Sequence, residues 1–135
     1  MTAPRKARTA KVPPVPATVE ELSRDGLLFL LRSRFPPDAW DLARARWHEL
    51  SCVSDAASQV WRAAAAQGDA AFDAQMLAFG ERGQSLAARR RLRKASEAFD
   101  AASAKRERLY AAYGRASSIA DAFWEAHLNS GGDTA

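Results

Sequence analysis

The feature that most constrains the fold is a run of apolar positions in the second half of the chain, spaced alternately three and four residues apart. The run has eleven positions, and nine of them hold an apolar or aromatic residue. Residues three and four apart lie on one face of an α-helix. The spacing therefore predicts one long helix over about 85–128 with an apolar seam along one side. The seam positions are Leu92, Ala95, Phe99, Ala102, Arg106, Leu109, Tyr113, Ala116, Ala120, Phe123 and His127.

A stripe with the same spacing occupies the first half of the chain and is interrupted only by Ser54. A glycine followed by an N-capping residue is typical of a helix end and a new start, and Gly68 precedes Asp69 in this way. We therefore expect two helices here, over about 37–67 and 69–79. The stripe positions are Trp40, Ala43, Trp47, Leu50, Ser54, Ala57, Trp61 and Ala64.

Gly80 and Gly83 form the strongest break between the two halves of the chain. Helical segments of similar length on either side of a glycine-rich turn predict an antiparallel pair. The predicted fold class is all-α, as an antiparallel helical hairpin or an elongated three- to four-helix bundle. Alanine-rich seams bury little area per residue, so we expect coiled-coil-like packing to be completed by self-association. The expected state is a homo-oligomer, with a dimer favoured.

The N-terminal region changes character at Thr18, where Thr18 and Glu21 have the spacing of a capping box. A helix is predicted over about 19–33. The residues before it are rich in proline and cations and poor in large apolar groups, which is typical of a disordered segment. The predicted organisation is a disordered basic tail at 1–17, a single helical domain at 18–129 and a disordered C-terminus at 130–135.

The charge of the chain is concentrated in clusters. The formal net charge is +4, and the first sixteen residues carry four cations and no acid. The remaining residues balance, with 16 basic against 16 acidic side chains. A neutral body with local basic clusters favours a defined contact face over indiscriminate coating of nucleic acid.

The compartment is predicted from the single cysteine and from the hydropathy of the chain. Cys52 has no partner for an internal disulfide, which fits a reducing cytoplasm. No apolar run approaches the roughly 18 residues of a membrane span, so no membrane partner is expected. The basic N-terminus lacks the apolar region of a secretory signal. A cytoplasmic protein is therefore expected.

The clearest functional signal is a cluster of five cations within six positions, which we call the arginine tract: Arg89, Arg90, Arg91, Arg93 and Lys94. No carboxylate occurs between Arg82 and Ser96. Helical geometry places Leu92 on the seam and the five cations on an arc facing away from it. Cations three and four residues apart repel one another, at a cost of roughly 0.2–0.5 kcal/mol per pair.

Three interpretations of the arginine tract stay open. In the first, the tract is a solvated helix face or pairs across helices with acids such as Glu49 or Asp73. In the second, it binds nucleic-acid phosphates. In the third, it docks on an acidic protein surface. DNA is favoured over RNA as the nucleic acid. The residues predicted to bind the nucleic acid or acidic partner are Arg82, Arg89, Arg90, Arg91, Arg93, Lys94, Arg5, Lys6, Arg8 and Lys11.

The sequence contains little that points to catalysis. His48 and Cys52 lie four residues apart, but two ligands without a third are a weak metal signal. Gly80 and Gly83 lack the Lys-Ser/Thr pair of a phosphate-cradling loop. The spacing of Trp61 and the earlier tryptophans favours core packing over base stacking. We predict no enzyme activity, no metal and no cofactor.

The favoured function is that of a small helical accessory protein that contacts the phosphate backbone of nucleic acid. No recognised base-reading motif accompanies the arginine tract. The alternative is a protein-interaction module, such as an adaptor, inhibitor or chaperone-like bundle, that docks on an acidic partner.

Overall fold

The computed structural model describes residues 12–32, 36–81 and 85–129. All regular structure in these ranges is helical, which confirms the all-α class. A short 3₁₀ helix, Val19–Glu21, is followed by α1, Arg24–Leu30, by α2, Ala39–Gly80, and by α3, Leu86–His127. None of these described helices is long and apolar enough to cross a lipid bilayer.

Helix α2 begins with a reciprocal capping box formed by two aspartates. The backbone N–H of Asp41 donates to Oδ1 of Asp38 at 2.8 Å, and the N–H of Asp38 donates to Oδ2 of Asp41 at 3.1 Å. Each carboxylate thus satisfies a backbone donor that the first helical turn leaves unpaired. This arrangement fixes the start of the helix at Ala39, two residues after the predicted one.

The predicted break at Gly68 is wrong, because α2 continues through this residue to Gly80. Gly68 does not adopt the left-handed conformation that a helix-terminating glycine requires. Asp69 consequently lies inside the helix and does not cap a new one. The helices expected at 37–67 and 69–79 are one helix.

The predicted helix at 19–33 is also wrong in extent, because the chain forms a 3₁₀ turn and then a separate α1. The side chain of Thr18 makes no capping hydrogen bond, and Oε2 of Glu21 accepts from the N–H of Ala17 at 2.9 Å. Leu22 and Ser23 are extended, so the helical path is interrupted between the two elements.

A carboxylate from α2 holds the start of α1. Oε1 of the buried Glu49 accepts from the N–H of Ser23 at 2.9 Å, and Oε2 accepts from Arg46 at 2.8 Å. Arg46 also donates to the backbone oxygen of Glu21 at 2.9 Å. Gly26 packs so closely that a Cβ there would overlap the Glu49 carboxylate. Glycine at position 26 is therefore what permits α1 to lie against this ion pair.

The described residues divide into two compact units. The single helical domain at 18–129 stays a prediction. Among the described residues, unit 1 comprises 12–32, 36–55 and 114–129, and unit 2 comprises 56–81 and 85–113. Unit 1 has two apolar clusters in its described part. One contains Leu22, Leu30, Leu42 and Ala45, and the other contains Ala43, Phe123 and Leu128.

Part of the predicted disordered tail packs on the core of unit 1. Val12 and Val15 contact the cluster that contains Phe123, and Pro16 is buried. Nε2 of His127 lies 3.3 Å from the backbone oxygen of Pro13. Burial of the valines provides the apolar contact that composition alone did not reveal, so the ordered chain begins before residue 18. Residues 1–11 and 130–135, also predicted to be disordered, lie outside the described ranges.

Unit 2 consists of segments of α2 and α3 that run antiparallel. Trp61 contacts Tyr110, Phe72 contacts Phe99, and Gln75 donates to Ser96, so partner numbers on α3 fall as numbers on α2 rise. The predicted antiparallel pairing is therefore confirmed within this unit. Its buried apolar side chains, as far as the structure describes them, are those of the small residues Ala64 and Ala88. Larger side chains at the seam stay half-buried, as expected for two helices without a third.

Candidate nucleic-acid interface

The arginine tract lies in the first turns of α3. The helix starts after Ser85, whose Oγ accepts from the N–H of Ala88 at 3.1 Å. The first turn contains no acidic residue. Backbone dipoles give the N-terminus of a helix a partial positive charge, which favours acids there and opposes cations. Arg89 lies in the first turn, where this effect opposes its charge, and the other four cations follow in the next two turns.

All five cations of the arginine tract are exposed. The seam residues beside them, Leu92, Ala95 and Phe99, are half-buried, so the tract faces away from the contact with α2 as predicted. The rest of the seam also follows the prediction, because its positions are buried or half-buried except for Arg106.

Counter-charge around the arginine tract is sparse. Among the described residues, the nearest carboxylate is that of Glu81, whose Oε2 lies 3.9 Å from Nε of Arg91. Among the described residues, no carboxylate oxygen lies within 4.0 Å of a side-chain nitrogen of Arg89, Arg90, Arg93 or Lys94.

The two acids considered as partners for the arginine tract do not pair with it. Glu49 belongs to unit 1 and binds Arg46 and the Ser23 amide. Asp73 is exposed and has no ion pair within the described ranges. Of the open interpretations, cross-helix neutralisation by these acids is therefore wrong, and a solvated cationic surface remains.

Five of the ten predicted binding residues lie outside the described ranges. Arg82 lies between the described ranges, and the four N-terminal cations Arg5, Lys6, Arg8 and Lys11 precede residue 12. Their participation stays a prediction from the sequence.

A cleft of about 530 Å³ in unit 2 was not predicted. We call it the Trp61 cleft, and its lining residues are Trp61, Ser103, Arg106, Glu107 and Tyr110. The sequence does contain one signal for it, since Arg106 interrupts the apolar seam. A cation at a seam position indicates that the two helices leave room for its side chain to reach solvent.

The thiol of Cys52 has the environment of a structural cysteine. Its Sγ lies 3.6 Å from Nε2 of His48, close enough for a weak hydrogen bond. Burial raises the pKa of the Cys52 thiol, and the nearby carboxylates of Asp25, Asp55 and Glu49 raise it further. A raised pKa lowers the fraction of nucleophilic thiolate. Within the described ranges, no three His, Cys, Asp or Glu side chains are placed to hold a metal ion.

Comparisons with protein-family models, curated proteins and solved structures found no match to this chain.

Proposed function

We propose that the protein is a non-enzymatic accessory factor that binds the phosphate backbone of nucleic acid, preferably DNA, through the arginine tract. The observation that carries this proposal is the exposure of five cations whose nearest described carboxylate is 3.9 Å away, at Glu81. Guanidinium groups match the geometry of phosphate oxygens and donate two hydrogen bonds to them.

The position of the tract strengthens this proposal. Arg89 and Arg93, and likewise Arg90 and Lys94, are like-charge pairs one helical turn apart. Each pair destabilises the free helix by roughly 0.2–0.5 kcal/mol. The helix dipole adds a cost for Arg89, which lies in the first turn of α3. A bound polyanion would relieve both terms at once, so the unfavourable charges of the free protein would favour binding.

We also propose that the protein acts as a dimer in a reducing cytoplasm. Phe72 and Met76, which lie on one face of α2 in unit 2, are close to half exposed. A second antiparallel helix pair would cover this face and complete a four-helix bundle. The free thiol of Cys52 fits the proposed compartment.

The alternative function is a protein-interaction module whose arginine tract docks on an acidic partner. The observation that favours it is the apolar surface of α1, where Leu27, Leu28 and Leu31 are exposed beside Arg24. Clustered apolar side chains at the surface are typical of protein contacts.

A salt titration tests the proposed function. Fluorescence anisotropy would measure the affinity of the wild-type protein for a labelled DNA duplex between about 50 and 200 mM salt. Each phosphate contact contributes roughly 0.9 to the slope of log affinity against log salt. Replacing Arg89, Arg90, Arg91 and Arg93 by alanine should therefore flatten the slope by about 3–4.

A matched control removes four exposed cations elsewhere, through alanine at Arg62, Lys105, Arg108 and Arg115. This control has the same net charge as the tract variant and should retain most of the wild-type slope. Equal losses in the two variants would show a diffuse charge effect and contradict a defined interface. If the wild-type protein binds poly-glutamate tightly and no DNA at low salt, the alternative function replaces the proposed one.

A further inference from the structure

The Trp61 cleft combines aromatic surface with polar groups of both signs. The ring of Trp61 stacks on that of Tyr113, with 6.2 Å between the ring centroids and 7° between the ring planes. The centroid of the Tyr110 ring lies 5.2 Å from that of Trp61. The ring centroids of Tyr110 and Tyr113 are 6.4 Å apart. The three rings thus support one another, and 57% of the surface of Tyr110 remains exposed.

Trp61 contributes a donor that has no acceptor. Its Nε1 is inaccessible to solvent and has no hydrogen-bond partner among the described residues. Buried polar groups in folded proteins are nearly always paired. Because Nε1 is shielded from solvent, a ligand in the cleft does not reach it, and Trp61 contributes its aromatic ring to the lining.

The charged groups of the cleft are also unpaired. Arg106 is exposed, and no carboxylate lies within 4.0 Å of its side-chain nitrogens in the part of the chain that the structure describes. Glu107 lines the same cleft and would repel an anion placed beside it. An anionic group is therefore accommodated on the Arg106 side, while the ring of Tyr110 offers a flat apolar surface.

We infer that the Trp61 cleft receives one unpaired base of a single-stranded nucleic acid. The base stacks on the exposed ring of Tyr110, and the adjoining phosphate pairs with Arg106. This inference rests on the proposed function. Stacking on aromatic rings beside a cationic surface is the common mode of binding to single strands, and it tolerates any base because each has a π-face.

The arginine tract and the Trp61 cleft bind different parts of the nucleic acid. Both lie on the unit 2 part of α3, and Arg106 comes twelve positions after Lys94, a rise of about 18 Å along the helix. The tract contacts phosphates without regard to bases, whereas the cleft requires a base that is free to leave its partner. The cleft therefore predicts a preference for single strands over duplexes that the tract alone does not explain.

Oligonucleotides with and without bases test this inference. Anisotropy would compare a labelled oligothymidylate with the same strand carrying abasic sites at its central positions. The wild-type protein should bind the intact strand about tenfold more tightly, since stacking of one base contributes about this factor. Tyr110→Ala should bind both strands equally, whereas Tyr110→Phe, which keeps the ring, should retain the preference.

The arginine-tract variant separates this inference from the proposed function. With Arg89, Arg90, Arg91 and Arg93 replaced by alanine, both strands should bind more weakly, but their affinity ratio should persist. Equal binding of both strands by the wild-type protein would overturn the cleft assignment and leave phosphate binding intact. Absence of binding to either strand at low salt would overturn both.

Two further outcomes would reassign the cleft. Thymidine monophosphate that competes as well as the strand would identify a free nucleotide as the ligand and overturn the assignment to a nucleic-acid strand. Light scattering would compare the molar mass of Tyr110→Ala with that of the wild-type protein. A lower mass for the variant would show that a second copy of the chain covers the cleft, which would also overturn the assignment to a nucleic-acid strand.

Discussion

Nε of Arg91 lies 3.9 Å from Oε2 of Glu81, and the two side chains are 63% and 61% exposed. An ion pair this open to water contributes between about 0 and 1 kcal/mol and weakens as salt is added. Glu81 therefore leaves the charge of the arginine tract largely uncompensated. A region that lowers the stability of the free helix in this way is more easily explained by binding than by folding.

Replacement of Arg90 by glutamate should stabilise the free protein while it weakens binding to DNA. The substitution removes the repulsion between Arg90 and Lys94 and creates a Glu–Lys pair at the favourable i,i+4 spacing. Together these two terms predict a gain of about 0.4–1 kcal/mol in the free energy of unfolding, measured by urea denaturation.

Arg115→Glu provides the control, because it makes the same charge change at an exposed position far from either end of α3. This variant should change the free energy of unfolding by less than about 0.5 kcal/mol. If Arg90→Glu destabilises the protein instead, the arginine tract has a counter-charge in solution and its interpretation as a ligand surface fails.

The two long helices were predictable because their apolar residues recur at helical spacing over many turns. The α2 stripe is buried or half-buried except at Trp40, and even Ser54, which interrupts it, is buried. The break at Gly68 was mispredicted because a helix interior and a helix end both accept glycine. Only the surrounding packing decides between the two, and a local sequence signal does not contain it.

Replacement of Gly68 by alanine should stabilise the protein. A Cβ at this position would meet no atom within 4 Å outside its own helix turn, and the backbone is helical. Alanine in a helix interior is favoured over glycine by about 0.8–1.0 kcal/mol. Thermal unfolding followed by circular dichroism should show a higher midpoint. A glycine that reverses the chain would give the opposite sign, because alanine is strained in the left-handed region.

The arginine tract was predictable for a different reason than the Trp61 cleft. Five cations within six residues are evident from the sequence, and helical geometry alone places them on the face opposite the apolar seam. The cleft joins Trp61 of α2 to residues 103–110 of α3, which are more than forty positions away in sequence. Which side chains meet there depends on the register of the two helices, and the periodicity of each helix alone does not fix it.

Val15→Ser should destabilise the protein, although Val15 lies in the segment that was predicted to be disordered. Its side chain packs on the cluster that contains Phe123. Loss of a partly buried valine side chain should cost about 1 kcal/mol in the free energy of unfolding. The control is Val53→Ser, at a position 59% exposed, which should change the free energy by less than about 0.5 kcal/mol. Equal effects would indicate that residue 15 does not pack in solution.

Gly26→Ala should destabilise the protein despite the higher helix propensity of alanine. The added Cβ would overlap the Glu49 carboxylate, which is buried and holds both the Ser23 amide and Arg46. Moving Glu49 aside would leave these donors unpaired, and overpacking of this kind costs about 1–3 kcal/mol. The propensity gain of about 1 kcal/mol is smaller than the upper part of that range, and α1 has only seven residues over which to retain it.

The matched control for Gly26 is Gly114→Ala in α3, which also belongs to unit 1 and has open space where the Cβ would lie. This variant should gain up to about 1 kcal/mol in the free energy of unfolding, so the two substitutions should act with opposite signs. Urea denaturation of both variants measures the difference directly. If Gly26→Ala also stabilises, Glu49 yields without loss of its hydrogen bonds, and the carboxylate does not determine how closely α1 approaches α2.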